Sequence, residues 1–303
     1  MSGVVHDSSP AYLLPGPLAL SRATADRVAH RRTDAAWLEA AWRDPGTRVL
    51  TVGGGSFPVL GGDLRFVSPE DAPTGERYLL GVDDGVAYFA VDTGAKPDDG
   101  SSLREAGPVL GDRDAGLAVH AVALANWHAQ HRHCARCGAV TEVRAAGHVR
   151  RCPQDGSEHY PRTDPAVIVL VLDQADRCLL GRGAAWPERR FSTLAGFVEP
   201  GETPEHAVAR EVFEESGVQV DSCRYAGAQP WPFPSSLMLG YYATGRGSPR
   251  PDGDEIVEAQ WFSRDELRDA ALGGDIVLPG GVSIARRLVE GWYGAELPGP
   301  PRD

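Results

Sequence analysis

Gly196-Phe-Val-Glu-Pro-Gly-Glu202-Thr-Pro-Glu-His-Ala-Val-Ala-Arg210-Glu211-Val-Phe-Glu214-Glu215-Ser-Gly217-Val218 is the stretch on which the reading of this chain turns. Thr203 suits a helix N-cap and Pro204 the first helical position. Gly217 suits a helix C-terminus, where positive φ costs little. The spacing therefore predicts a helix over 204–216. At about 100° per residue, Glu211, Glu214 and Glu215 fall within an arc of roughly 100° on one face. Ala209, Val212 and Phe213 lie opposite and are expected to pack on a sheet. Three carboxylates on one face repel. Such a face is either solvated and balanced by Arg210, or it holds a divalent cation, and hard oxygen ligands select Mg²⁺ or Mn²⁺.

Around this helix the sequence reads as α/β. Ala166-Val-Ile-Val-Leu-Val-Leu172 is a continuous apolar run of strand length, as expected for a strand buried on both faces. Further strands are predicted at 178–180, 225–228, 237–243 and 256–262, an extended segment at 191–197, and helices at 265–270 and 283–292. The tail from Pro298 is expected to fray. Upstream the pattern is weaker and β-rich, with short apolar runs split by Gly, Asp and Pro. Val82-Asp-Asp-Gly-Val86 is a hairpin signal, and helices are expected at 35–42 and 114–131. Residues 132–162 differ in character, with three Cys and three His (His133, His148, His159) among Gly and Arg. The expected domains are 1–128, β-rich; 129–162, a small inserted module; and 163–303, α/β.

The chain has 303 residues, 42% hydrophobic and 24% charged, an ordinary soluble composition. No apolar stretch approaches the ~20 residues that a membrane helix needs, so no membrane partner is expected. Met1 to Asp7 lacks a basic segment followed by an apolar one, which makes a cytoplasmic location the default. The net charge of −12 excludes a general nucleic-acid-binding surface but not one local basic groove. Lys96 is the only lysine, so the positive charge is almost all arginine. Five cysteines, an odd number with three inside nineteen residues, do not suit a disulfide framework. Cys178 and Cys223 are read as buried small hydrophobes.

The complete spacing of the decisive stretch matches the Nudix box, with every fixed position filled. The resemblance implies an α/β/α sandwich that hydrolyses a nucleoside diphosphate linked to another moiety, using Mg²⁺ or Mn²⁺. It implies that Glu211, Glu214 and Glu215 are catalytic metal ligands and that Glu255 is a further ligand. Gly196, Glu202, Arg210 and Gly217 then have structural roles in the box. Metal ions in such a site neutralise phosphate oxygens and lower the pKa of a bound water.

Downstream, Gln229-Pro230-Trp231-Pro232-Phe233-Pro234-Ser235-Ser236 reads as a stiff, extended loop with two fixed rings. Alone it is compatible with a surface turn. After a complete Nudix box it resembles the signature of the NADH pyrophosphatase subfamily, with Ala228 in place of the leading Ser. That resemblance implies hydrolysis of NADH or NAD⁺ to nicotinamide mononucleotide and AMP, removal of NAD caps from RNA 5′ ends, and a homodimer. It implies substrate contacts by Tyr160, Ala195, Ala285, the residues from Gln229 to Ser236, and Arg104. It also implies a zinc ribbon of two Cys-x-x-Cys knuckles. Cys134 and Cys137 form the first, but the second runs from Cys152 to Asp155. Asp155, or His148 or His159 looping back, would supply the fourth zinc ligand; equally, the ribbon could be empty. Three rival readings remain: a Nudix hydrolase of ADP-ribose, coenzyme A or another dinucleotide; a silent nucleotide-binding regulator; and a nucleic-acid-binding module built on the ribbon, against which stand the net charge of −12 and the broken second knuckle. The complete box argues against the second.

Overall fold

The computed structural model describes residues 12–298, which form two units. Leu20–Thr163 together with Pro230–Ser235 make one; the residues up to Ala19, Asp164–Gln229 and those from Ser236 onward make the other. The initial segment Met1 to Asp7 and the end of the tail lie outside the described residues.

The first unit is β-rich, as expected. Strands β1 (Arg48–Val52), β5 (Val86–Asp92) and β4 (Glu76–Asp83) form one three-stranded sheet; β3 (Asp63–Leu64), β2 (Ser56–Leu60) and β6 (Gly100–Ser102) form another. The hairpin at 82–86 is present, with Asp84 and Gly85 at positive φ. Helix α1 (Ala35–Arg43) lays Trp37, Leu38, Ala41 and Trp42 against Leu79, Ala87 and Phe89. The short helix α2 (Leu103–Ala106) carries Arg104, and a capping box from Ser102 and Glu105 starts it. Helix α3 (Asp112–Gln130) has little amphipathic character because it is buried nearly all round. After it come β7 (Glu142–Arg144), β8 (Val149–Arg151) and β9 (Glu158–His159), a small antiparallel sheet.

Three buried histidines tie α3 to this sheet and to β4. His120 Nδ1 bonds Leu80 O, His148 Nε2 bonds Leu79 O, and His128 Nε2 bonds Gly147 O. Arg150 Nη1 lies 2.9 Å from His128 Nδ1. A guanidinium only donates, so His128 must be neutral, with its proton on Nε2. Burial first, and the arginines nearby, push both His128 and His148 down to about 4. Their ordinary value in the unfolded chain is about 6.5. The unfolded state then binds more protons below that pH, so the stability they contribute is present above 6.5 and is lost as pH falls toward 4. The full effect is about 3 kcal/mol per histidine. Melting temperature should drop steeply over this window, and His148→Gln, which keeps a donor but does not titrate, should flatten the fall. An unchanged acid limb in that variant would remove His148 from the account.

The second unit is a mixed sheet in the order β13 (Gln219–Trp231), β14 (Ser236–Arg246), β10 (Asp164–Leu172), β11 (Cys178–Gly183) and β15 (Ile256–Phe262), with β12 (Leu194–Phe197) paired to β10. Strand β10 is parallel to β14 and antiparallel to β11 and β12. Its alternating side chains enter two cores. Val167, Val169 and Val171 meet Ala207, Val208 and Val212 of helix α4 (Pro204–Ser216). Ile168, Leu170 and Leu172 meet Leu267 of α5 (Arg264–Gly273) and Ile284, Leu288, Val289 and Trp292 of α6 (Ile284–Tyr293). Helices thus cover both faces, giving the expected α/β/α sandwich. Cys178 and Cys223 are buried in these cores. No helix among the described residues is long and apolar enough to cross a membrane.

Candidate active site

Helix α4 begins and ends as its sequence dictates. The Thr203 side chain accepts from His206 N, Pro204 opens the first turn, and Gly217 closes it at φ 68°. Its buried stripe, however, is not the one predicted. Ala207, Val208 and Val212 are buried, whereas Phe213 is 54% exposed. The inward face is shared with glutamate: Glu215 is 6% exposed and Glu211 half-buried, while Glu214 stands in solvent. The three carboxylates are therefore not equivalent.

Arg210 organises this end of the site. Its Nε and Nη2 each lie 2.9 Å from one oxygen of Glu202, a bidentate pair. Its Nη2 also donates to Phe197 O, and its Nη1 reaches Glu211 Oε1 at 2.9 Å and Glu214 Oε2 at 3.2 Å. The Glu202 carboxylate is held below its usual range by that guanidinium. One cation thereby fixes the loop before the helix and restrains two glutamates on it.

Gly196 is required by close approach. A Cβ there would stand 1.9 Å from Cδ of Glu211. The next residue back, Ala195, donates its backbone N–H to the carboxylate of Glu215. The other oxygen of Glu215 is buried and has no partner. Burial above all, then the charges of Glu211 and Glu255, push Glu215 up to about 8. Glu211 is also raised, chiefly by burial, against the pull of Arg210. An unpartnered buried carboxylate oxygen under the charges of two further carboxylates is a donor set that fits Mg²⁺ or Mn²⁺.

Sequence reading missed Asp252. Its oxygens accept from the backbone N–H groups of Asp254, Glu255 and Ile256 at 2.9–3.3 Å, which fixes the turn that bears Glu255. Its charge also bears on Glu215. The signal was the run Asp252-Gly-Asp-Glu255, an Asx turn just before a strand.

The aromatic segment differs from the extended loop expected. Gln229, Pro230 and Trp231 end β13, residues 232–235 make a turn, and Ser236 starts β14 opposite Asp164 of β10. Gln229 is buried and donates to Val282 O. The Trp231 and Phe233 rings meet edge to face with centroids 4.9 Å apart. The guanidinium of Arg104 lies over both, 4.8 Å from the Trp231 centroid and 4.2 Å from that of Phe233. Asn126 Nδ2 holds Pro232 O at 2.8 Å. Of the remaining substrate candidates, Tyr160 is exposed and donates to Glu158, Ser235 is half-buried, and Ala285 is buried at the start of α6 among Ile284 and Leu288.

The cysteine module brings Cys134, Cys137, Cys152 and Asp155 together, with one ligand atom from each within 4.8 Å of the others. Cys134 Sγ is 3.7 Å from Asp155 Oδ2, and Cys137 Sγ is 3.5 Å from Cys152 Sγ. The two knuckles have parallel hydrogen bonding, Gly138 N to Cys134 O and Gly156 N to Cys152 O. Asp155 thus sits where the second knuckle closes. His148 is not at this cluster, since its ring is buried against Leu79 O. His159 bonds Ser157 Oγ, which in turn donates to Asp155.

Comparison with known proteins covers the whole arrangement. Residues 162–279 match the NUDIX domain model, 129–160 the NADH pyrophosphatase zinc ribbon domain, and 30–127 the NADH pyrophosphatase-like rudimentary NUDIX domain. The NAD-capped RNA hydrolase NudC of Mycobacterium bovis is 44% identical over 303 aligned residues, 91% of this chain and 95% of that one. The Mycobacterium tuberculosis protein of the same name is 43% identical over the same shares. The human NAD-capped RNA hydrolase NUDT12 is 39% identical over 196 residues, 60% of this chain and 42% of that one. With its box glutamates, aromatic turn and ribbon in place, the chain belongs to the NudC family of NADH pyrophosphatases within the Nudix hydrolases.

Proposed function

We propose that this chain is a metal-dependent diphosphatase of NAD(H) that also removes NAD caps from RNA 5′ ends, acting as a cytoplasmic homodimer. The observation that carries the reading is Glu215, whose buried oxygen has no partner and which lies under the charges of Glu211 and Glu255, with Glu211 itself packed against Gly196. Bound Mg²⁺ or Mn²⁺ would neutralise the pyrophosphate and acidify a water. The chain's own contribution is to aim the donors: Arg210 restrains Glu211 and Glu214, the Ala195 amide orients Glu215, and Asp252 sets the turn of Glu255. Trp231, Phe233 and Arg104 offer rings and a cation to a nicotinamide or adenine and its phosphates. Tyr160, Ala195, Gln229, Ser235, Ser236 and Ala285 complete the proposed substrate contacts. A hydrolysis panel of NADH, NAD⁺, ADP-ribose, coenzyme A and NAD-capped RNA, products identified by mass, tests this. Cleavage of NADH and capped RNA to nicotinamide mononucleotide products supports it; a preference for ADP-ribose or coenzyme A, or no turnover at all, overturns it. Light scattering at several concentrations tests the dimer.

The ribbon is read as a zinc site with three thiolates and one carboxylate. Tetrahedral zinc with bonds near 2.3 Å needs ligand atoms about 3.8 Å apart, close to the separations here. Purified protein should contain about one zinc per chain, and Cys134→Ser should lower both zinc content and melting temperature. Asp155→Ala should release zinc to a chelator faster than the parent, and Asp155→Cys more slowly. Release unaffected by either change at 155 would mean that Asp155 is not a ligand.

A further inference from the structure

Charge is unevenly distributed along this acidic chain. Residues 129–160 carry five arginines against three carboxylates, net +2, while the other 271 residues carry 25 basic and 39 acidic groups, net −14. The ribbon strands place that positive charge on a surface. In the β7–β8 ladder Glu142 faces Arg151, and Arg144 faces Val149. Cross-strand partners and alternate residues share a face, so Arg144 and Arg151 project from the same side of the hairpin. Arg150, one residue away in register, turns inward to His128 and Thr141.

Two grooves border this face. One, of about 510 Å³, is lined by Arg32 and Thr33 just before α1 and by Arg144, Val149, Arg151 and Glu158 of the ribbon. The other, of about 350 Å³, is lined by Glu76, Arg77 and Arg144. They share Val143, Arg144 and Ala146 and so form one track. Four arginines line it against two glutamates. Arg32 has a buried Nε with no partner, and Arg27 adds like charge beside it. Arg151 is exposed and forms no ion pair among the described residues. Arg144 pairs with the exposed Glu142, a weak pair in water, and donates to the Val143 carbonyl. Arg77 is held in place over the Trp42 ring, 3.9 Å from its centroid.

Guanidinium groups spaced along an open track suit a chain of phosphates rather than one compact anion. A dinucleotide needs no such track; an RNA attached to one does. We infer that Arg32, Arg77, Arg144 and Arg151 bind the phosphodiester chain of single-stranded RNA, which rests on the decapping activity proposed above. The contacts are to backbone, so they carry no sequence information, and they weaken with salt.

The test uses the full-length protein and the variant Arg144→Gln/Arg151→Gln, both sites being exposed and outside the catalytic groups. Fluorescence anisotropy with an uncapped, labelled single-stranded RNA reads the track without catalysis. Kinetics with NADH and with the same RNA carrying an NAD cap read its use. The variant should bind the RNA about tenfold more weakly. Its slope of log affinity against log salt should be shallower by about 1.4, or ~0.7 for each lost phosphate contact. kcat/KM should fall for the capped RNA in the same proportion and stay within twofold for NADH. A single-stranded DNA of the same sequence should follow the RNA, because phosphates alone are read. Unchanged RNA binding overturns the track, as does a parallel loss for NADH and capped RNA. A parent protein that binds RNA through these arginines yet leaves capped RNA intact would uphold the track and sink the decapping function instead.

Discussion

Glu215→Gln should cost at least about a hundredfold in turnover, the scale of losing one electrostatic or acid–base contributor, and yet raise the melting temperature of the metal-free protein. Both effects follow from one placement. Glu215 is buried with an unpartnered oxygen, faces the charges of Glu211 and Glu255, and has its pKa pushed up to about 8. Its pKa in the folded chain is raised above the unfolded value near 4.5. The stability it allows is therefore complete below pH 4.5 and is lost as pH rises toward 8. Gln has the same shape without that liability, so the metal-free variant should melt higher than the parent at pH 8 and similarly at pH 4.5. Divalent cation reverses the order. Mg²⁺ or Mn²⁺ should stabilise the parent most at high pH, where the carboxylate is ionised, and should stabilise the variant little. Turnover and thermal shift, each with and without metal at two pH values, decide the matter. Near-normal turnover, or a metal-dependent rise in melting temperature that survives the substitution, would remove Glu215 from the metal site. The histidines run the other way over an overlapping window, and with two of them against one glutamate the metal-free protein should be most stable near pH 6.5.

What the sequence could not supply was burial. Helical spacing puts Glu211, Glu214 and Glu215 on one arc, and α4 forms where its caps dictate. The same spacing cannot say where the sheet sits against that arc. The packed stripe proves to be Ala207, Val208 and Val212 together with Glu211 and Glu215, leaving Phe213 exposed and Glu214 in solvent. Strand β10 was legible because an apolar run without polar alternation has one burial solution, and its odd and even residues enter separate cores. The ribbon was half legible. Asp155 stands at the position its spacing gives, but His148 is spent on a carbonyl of β4, a tertiary bond with no local signal. Prolines at 230, 232 and 234 suggested an extended segment, yet the chain turns at 232–235, where strand neighbours β13 and β14 must be joined. The pairing of Arg104 with the rings joins positions more than 120 residues apart, and only the fold brings them within 5 Å.

That pairing sharpens the expectation for the aromatic turn. Phe233→Ala should reduce kcat/KM for NADH by about tenfold to a hundredfold, because stacking of a base on an aromatic ring is worth roughly 1–3 kcal/mol. Hydrolysis of a small generic pyrophosphate should hardly change, since Glu211, Glu215 and Glu255 are untouched. The ring is preorganised: Trp231 meets it edge to face, Asn126 anchors the intervening Pro232, and Arg104 covers it. Little entropy remains to be lost on binding, so stacking of a ligand on the half-buried ring costs little ordering. Arg104 also contributes a cation–π contact of about 0.5–2 kcal/mol. Arg104→Ala should therefore lower kcat/KM for NADH as well, and the double variant should lose less than the two single losses combined, because each change frees the same contact. Full additivity would mean that the two residues act separately. An equal fall for NADH and the small pyrophosphate would be more damaging: the turn would then support the fold, and selectivity for the dinucleotide would have to come from elsewhere.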